Sequence, residues 1–335
     1  MFDILKSLCC IDGISGDEQN VREYIISQIK DCCEYKVDNI GNIIVFKKGK
    51  KRPFKKLMLD AHMDEVGFII TGIDDNGFLK FTNIGSIETA VMLSRHVLIN
   101  GKINGVIGSK PIHLTHGEES KKLPKADTLY IDIGAKSKED AEKYVRLGDS
   151  AVMVSDYTDN GEVIMSKALD DRIGCAVLIK MLKEYNEYDF YASFSVQEEI
   201  GLRGAKVSAY AIDPDSAIVI EGTTAGDIAG TPENKSVCNL NKGAVVSFMD
   251  RATLYDKEYY NLALNSKLKV QPKRAATGGN DAGSVHLSKK GVKTLSVSAP
   301  CRYIHSQSSV VSKSDIKAVY DLVLYMSDLI LSKGV

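Results

Sequence analysis

No apolar run among the 335 residues is long enough to span a bilayer, and no tract is repeated or of low complexity. A membrane-spanning helix and a repeat array are therefore not expected. Neither sign of charge is in excess, with 43 Lys and Arg against 44 Asp and Glu and a formal net charge of -1. Such a chain has no general attraction for nucleic acid or for an anionic membrane surface. The opening residues Met1 to Lys6 include Asp3 and are soon followed by Asp12 and Asp17, which is not the basic and then apolar layout of a signal peptide. Paired cysteines are also lacking. The seven are odd in number, and Cys9-Cys10 and Cys32-Cys33 are vicinal, a poor basis for a disulfide framework. They read as small core residues in a reduced, cytoplasmic protein. Tryptophan is absent, although 15 Tyr remain.

The length itself predicts two domains, or one domain with a large insertion. Ser15-Gly16-Asp17-Glu18 has the form of a capping box, Ser15 as N-cap and Glu18 reaching back. Val21, Tyr24, Ile25 and Ile29 then recur at helical spacing, which predicts a helix of about four turns. Asn39-Ile40-Gly41-Asn42 marks a turn between strand-like segments that lead on to a strand at Leu57. From Phe68 to Tyr157 the chain breaks into short β-like runs. Their turn signals include Asp75-Asn76-Gly77, Asn100-Gly101 and Asn104-Gly105, with Asp159-Asn160-Gly161 just beyond. This texture predicts a small β-barrel or sandwich inserted into an α/β unit, with residues 1–67 and 158–335 on either side of an insertion at 68–157. Afterwards Ile173, Ala176, Val177 and Met181 lie along one helix, and Ser314 to Leu331 forms a closing amphipathic helix.

Within this frame, short apolar runs repeatedly end in carboxylates or histidines. Leu57-Met58-Leu59 enters Asp60-Ala61-His62-Met63-Asp64, Phe190 to Val196 enters Glu198-Glu199, Ala217 to Ile220 ends at Glu221, and Leu295 to Val297 leads on to His305. Open α/β sheets build sites at the carboxyl ends of their strands, outside the packed core. His62 and Asp64 fall on one side of an extended segment, which suits a metal ligand with its orienting carboxylate and equally a structural pair. Adjacent Glu198 and Glu199 repel, and ligation by one with proton transfer by the other explains the pairing; a solvated acidic turn before Gly201 does so too. Asp170-Asp171-Arg172 opens a helix, where Asp is also a favoured cap.

Taken together, Leu59 to Gly67, Ala168 to Gly174, Val196 to Ala205 and Arg302 to Ser306 resemble the glutamyl-aminopeptidase and tetrahedral-aminopeptidase family of dinuclear metallopeptidases, some of whose members carry the older label cellulase M. The likeness runs from Ser15-Gly16-Asp17-Glu18 to the last helix. It implies a zinc-peptidase-like α/β/α sandwich with a mixed sheet, plus the inserted β-barrel. It implies that His62 and Glu221 hold one metal, that Glu199 and His305 hold the other, and that Asp170 bridges them. Glu198 is implied as general base on a metal-bound water, and Asp64 as the residue that steadies His62. Two divalent ions are expected, zinc or cobalt first and manganese after them. The implied substrates are short peptides that lose N-terminal residues. The implied assembly is a homo-oligomer built from dimers through the insertion, up to a dodecamer.

Three positions depart from the family pattern: Glu221 stands where Asp is usual, Gln307 where Pro is usual, and Asn280 where Thr is common. The rival reading is a glycoside hydrolase using Glu198 and Glu199. That chemistry needs carboxyl groups about 5 to 9.5 Å apart across a sugar, which adjacent residues supply awkwardly. The remaining histidines, His96, His113, His116 and His286, read as structural.

Overall fold

The computed structural model describes residues 1–117 and 122–335. Helices α1 (Phe2–Cys9) and α2 (Gln19–Ile29) precede strands β1 (Glu34–Val37), β2 (Ile43–Lys47) and β3 (Leu57–His62). β1 and β2 form the antiparallel hairpin expected around Asn39–Asn42, where Gly41 takes a φ of 108°. Strands β4 (Gly67–Ile73), β5 (Leu79–Ile84), β6 (His96–Ile99), β7 (Ile103–Gly108), β8 (Tyr130–Asp132) and β9 (Ser150–Met153) close into an antiparallel barrel of order β4-β5-β8-β7-β6-β9. Two short helices, α3 (Thr89–Met92) and α4 (Lys138–Ala141), lie among them, and Phe68, Ile70, Leu79, Val97, Ile107 and Ile131 fill the barrel's own core.

The chain then resumes with β10 (Thr158–Asp159), β11 (Val163–Ser166), α5 (Leu169–Glu184), β12 (Phe190–Ser195), α6 (Arg203–Ile212) and β13 (Ser216–Thr224). It ends through β14 (Ala244–Val246), α7 (Lys257–Leu264), β15 (Val270–Pro272), α8 (Ala282–Val285), β16 (Lys293–Arg302), β17 (Ser309–Ser312) and α9 (Lys313–Lys333). These strands and β1 to β3 build one mixed sheet of order β1-β2-β12-β3-β13-β16-β17-β11-β10, with β14 and β15 joined beside β16. Its centre, β12-β3-β13-β16, is parallel throughout.

Those central strands are apolar on both faces because helices cover both. Leu57, Leu59, Ala61, Ile218, Ile220 and Phe194 pack with α1, α2, α5 and α9, whereas the alternate residues Met58 and Ala217 pack with α6 and α8. The result is an α/β/α sandwich. Alternation also decides which side carries the polar ends: His62 shares a face with Met58, and Glu221 shares one with Ala217, so both reach the α6/α8 side.

Four local expectations need correction. The 15–18 segment is not a capping box. Ser15 Oγ donates to Asp64 at 2.6 Å, no side chain caps α2, and the helix has 11 residues, three turns rather than four. Asn104-Gly105 is not a turn but lies inside β7, paired with Leu98 and Val97; a Cβ on Gly105 would meet the Ile131 side chain at 2.6 Å, so glycine is there for packing. β13 does not stop at Ile220. It leaves β3 after Val219–Asp60 but stays paired with β16 as far as Thr224–Cys301. Finally, Asp170 and Asp171 have non-helical backbone, and Asp171 alone performs the capping by accepting Gly174 N–H at 2.9 Å. The cysteines are all unpaired among the described residues; Cys9, Cys175, Cys238 and Cys301 are buried, while Cys10 is exposed.

Candidate metal centre

At the carboxyl ends of the parallel strands the chain gathers the side chains that the sequence singles out. His62 closes β3, Glu198 and Glu199 follow β12, Glu221 lies in β13 just past its parting from β3, and His305 follows β16. Asp170 enters from the start of α5, freed from helix capping by Asp171. Its two oxygens face different imidazoles: Oδ1 is 3.6 Å from His62 Nε2, and Oδ2 is 3.7 Å from His305 Nε2. Glu221 Oε2 is 3.6 Å from His62 Nε2, Glu199 Oε1 is 3.4 Å from His305 Nε2, and Glu198 Oε2 is 4.0 Å from His62 Nε2. Donors that share a tetrahedral ion at about 2.0–2.2 Å stand roughly 3.3–3.6 Å apart. The separations here are those of ligands around a cation more than those of direct hydrogen bonds.

Gly222 makes Asp170's position available. A Cβ there would lie 2.9 Å from the Asp170 carboxyl, and instead the Gly222 N–H donates to Oδ1 at 3.2 Å. His62 Nδ1 lies 3.1 Å from the Asp64 carbonyl and 3.4 Å from its carboxylate. That carboxylate also accepts the Glu198 and Glu199 N–H groups, at 3.0 and 3.1 Å.

Burial opposes charge throughout this cluster. It works against the His62 imidazolium, yet Asp170, Asp64, Glu198 and Glu221 outweigh it and raise the pKa well above the usual value. In the same way His305, though desolvated, is pushed up to about 9 by Asp170 and Glu199. Glu199 rises to about 7 through burial, against the pull of His305. Glu198 and Glu221 are also raised well above the usual value, chiefly through burial, with Asp281 and Glu199 adding to the first and Asp171 to the second. Buried Glu221 Oε1 and Asp171 Oδ2 have no hydrogen-bond partner. Carboxylates in such excess, two of them with an orphaned oxygen, are a donor set that suits a cation. Among the described residues, three groups bring a ligand atom from each member within 4.8 Å of the others: His62, Asp171 and Glu221; His62, Glu198 and Glu199; Asp170, Glu199 and His305.

Several residues of this site escaped sequence reasoning. Asp171 was read together with its neighbours only as a helix opener. Asp60 and Asp281 are fully buried beneath the cluster, where Ser195 Oγ donates to Asp281 at 2.6 Å. The clue to Asp281 was its neighbour Asn280, which accepts from Ala282 N–H at 3.0 Å and donates to Tyr255 and Ser296, at 3.0 and 3.1 Å, holding the start of α8. Gln307 bonds to Arg95 at 3.0 Å and to the Val154 carbonyl, tying the His305 loop to the barrel. A narrow cleft over Asp170, Glu199 and His305 is walled by Val66, Met153 and Lys167. Lys167 is not a free cation there, since Glu65 at 2.7 Å and Asp12 at 2.9 Å neutralise it. His96 bonds to Asn104 at 2.8 Å and His286 to the Ala282 carbonyl at 2.7 Å, while His113 and His116 are exposed in the barrel region.

Residues 41–322 match the M42 glutamyl aminopeptidase family. The chain belongs to that family. It is similar to a putative aminopeptidase of Acetivibrio thermocellus, 40% identical over 332 residues covering 97% of each chain. A TET aminopeptidase from a marine-sediment Thaumarchaeota archaeon superimposes with a TM-score of 0.92 at 33% identity, over 96% of this chain and 94% of that one. The TET1 peptidase of Pyrococcus horikoshii, described as able to assemble into a tetrahedron or a large octahedral shell, matches at 34% identity and a TM-score of 0.83, over 96% and 97%. The aminopeptidase is therefore a metallopeptidase of the hydrolase class that removes N-terminal residues from peptides, and the glycoside-hydrolase reading falls. The family implies divalent metal ions, and the His and carboxylate groups above suit them. No helix among the described residues is long and apolar enough to cross a membrane.

Proposed function

We propose that His62 and Glu221 hold one divalent cation, that Glu199 and His305 hold a second, and that Asp170 serves both. The observation that carries this reading is the Asp170 carboxylate, one oxygen toward each histidine. Imidazole with carboxylate donors suits zinc or cobalt, and manganese after them. Bound there, the cations supply Lewis-acid polarisation of the scissile carbonyl and acidify water near neutral pH. Glu198, which lies 4.0 Å from His62 Nε2 and has no place in either ligand set, takes the proton of the attacking water and returns it to the leaving amine nitrogen. Asp64 keeps the imidazole of His62 in place from its Nδ1 side and fixes the Glu198 backbone.

The test is Glu221→Ala. Removing one terminal ligand is expected to weaken one site by at least the roughly 10–100-fold seen even for outer-sphere losses, leaving the site of Asp170, Glu199 and His305 near native. Titration calorimetry on the metal-free variant reads both affinities, and two unaltered sites would take Glu221 out of the centre.

We also infer a homo-oligomer built from dimers, up to a dodecamer, in which residues 68–157 act as an inserted unit making the contacts between copies. The assembly described for the TET1 relative supports this. Joining residue 67 to residue 158 through a short linker is expected to yield a smaller particle by light scattering; an unchanged particle would move the contacts to the sandwich. The unpaired thiols suit a reducing, cytoplasmic setting.

A further inference from the structure

The loop that carries Glu198 is held in an unusual way. Four consecutive peptide N–H groups each meet a side-chain acceptor from the first 64 residues: Val196 donates to Asn42 Oδ1 at 2.9 Å, Gln197 to Glu18 Oε1 at 3.1 Å, and Glu198 and Glu199 to the two oxygens of Asp64 at 3.0 and 3.1 Å. All three acceptors are buried. Between them Gln197 sits at a φ of 58°, a left-handed conformation that a side chain of this size adopts only when its surroundings impose it.

Glu18 is 3% exposed, and its Oε1 also accepts the Gly16 N–H at 2.8 Å, so the carboxyl is fixed within its own turn before it reaches Gln197. Helix capping does not account for it, because it makes no side-chain cap on α2 and Ser15 is committed to Asp64. The same turn is fastened to the barrel through Ser150 Oγ and Asp17, at 2.6 Å. Burial pushes Glu18 up to about 7, and glutamine, of the same length, keeps an acceptor oxygen at the same reach.

We propose that Glu18 is a positioning residue for peptide hydrolysis: by accepting the Gln197 N–H it imposes the left-handed turn and so sets the direction in which Glu198 presents its carboxylate. This rests on the reading of Glu198 as the base. A displacement of about 1 Å in a catalytic group costs up to about 10²-fold in rate. Glu18→Ala in the metal-loaded full chain is therefore expected to lower kcat about 10- to 100-fold on an aminoacyl chromogenic substrate. KM and metal content by elemental analysis should stay as in the unaltered enzyme.

Glu18→Gln keeps the acceptor and is expected to restore most of kcat. Glu18→Asp keeps the charge but loses the reach, and it should resemble Ala; it also serves if the alanine variant does not fold. The decisive comparison is Glu18→Ala added to Glu198→Gln, where no further loss is expected because the group being aimed is already gone. Equal fractional losses in both backgrounds, full turnover by Glu18→Asp, or equal losses for Gln and Ala would each overturn the positioning role. Full turnover by Glu198→Gln alone would instead overturn the base assignment beneath it.

Discussion

Replacing Glu198 by Gln is expected to lower turnover by about two to four orders of magnitude, the scale of a lost general base, while both cations remain bound. The amide has the shape of the carboxylate but cannot take a proton from water at neutral pH. Nothing that fixes the loop passes through this side chain, since Asp64 grips the backbone N–H groups of residues 198 and 199. Nor does the side chain close on His62, from which it stands 4.0 Å away. Steady-state kinetics with elemental analysis of the same preparation checks both halves. Metal loss in this variant would mean that Glu198 and Glu199 have exchanged roles.

Exhaustive chelation is expected to abolish activity, and zinc or cobalt to restore it. Full activity in a preparation shown to be free of metal would end the two-cation reading. The site gives this experiment a pH dependence whose sign follows from proton displacement. A cation must remove the protons held by His305, raised to about 9 by Asp170 and Glu199 against its burial, and by Glu199, raised to about 7 by burial. Affinity should therefore rise with pH through that range, and reconstitution at pH near 8 should need less metal than at pH near 6. Calorimetric titration at the two pH values reads the difference, and a flat profile would contradict it.

Much of the architecture was legible because parallel strands covered on both faces announce themselves as continuous apolar runs. Leu57–Leu59 and Ala217–Ile220 needed no partner to be read, and the polar residues that follow them point to the rim of the sheet. The barrel showed in its turn pairs, although Gly105 belongs to a strand because its missing Cβ admits Ile131, a contact no local pattern encodes. Glu18 was misread for a similar reason. Ser15-Gly16-Asp17-Glu18 has all the local marks of a cap, and only the approach of Gln197, far along the chain, redirects the carboxyl. Asp170 and Asp171 look alike in sequence, and the division of labour between them appears only once Gly174 has claimed one.

The order of the central sheet bears on how the polypeptide emerges from the ribosome. β3 is buried along its whole length and opens on the apolar Leu57, Met58 and Leu59, but its two neighbours, β12 and β13, are synthesised only after the entire barrel. The barrel has its own core and local antiparallel pairing, so it can condense while the nascent β3 still lacks both of its neighbouring strands. During that interval the segment bearing His62 has no strand beside it, and its apolar residues are covered only when the second half of the sandwich arrives.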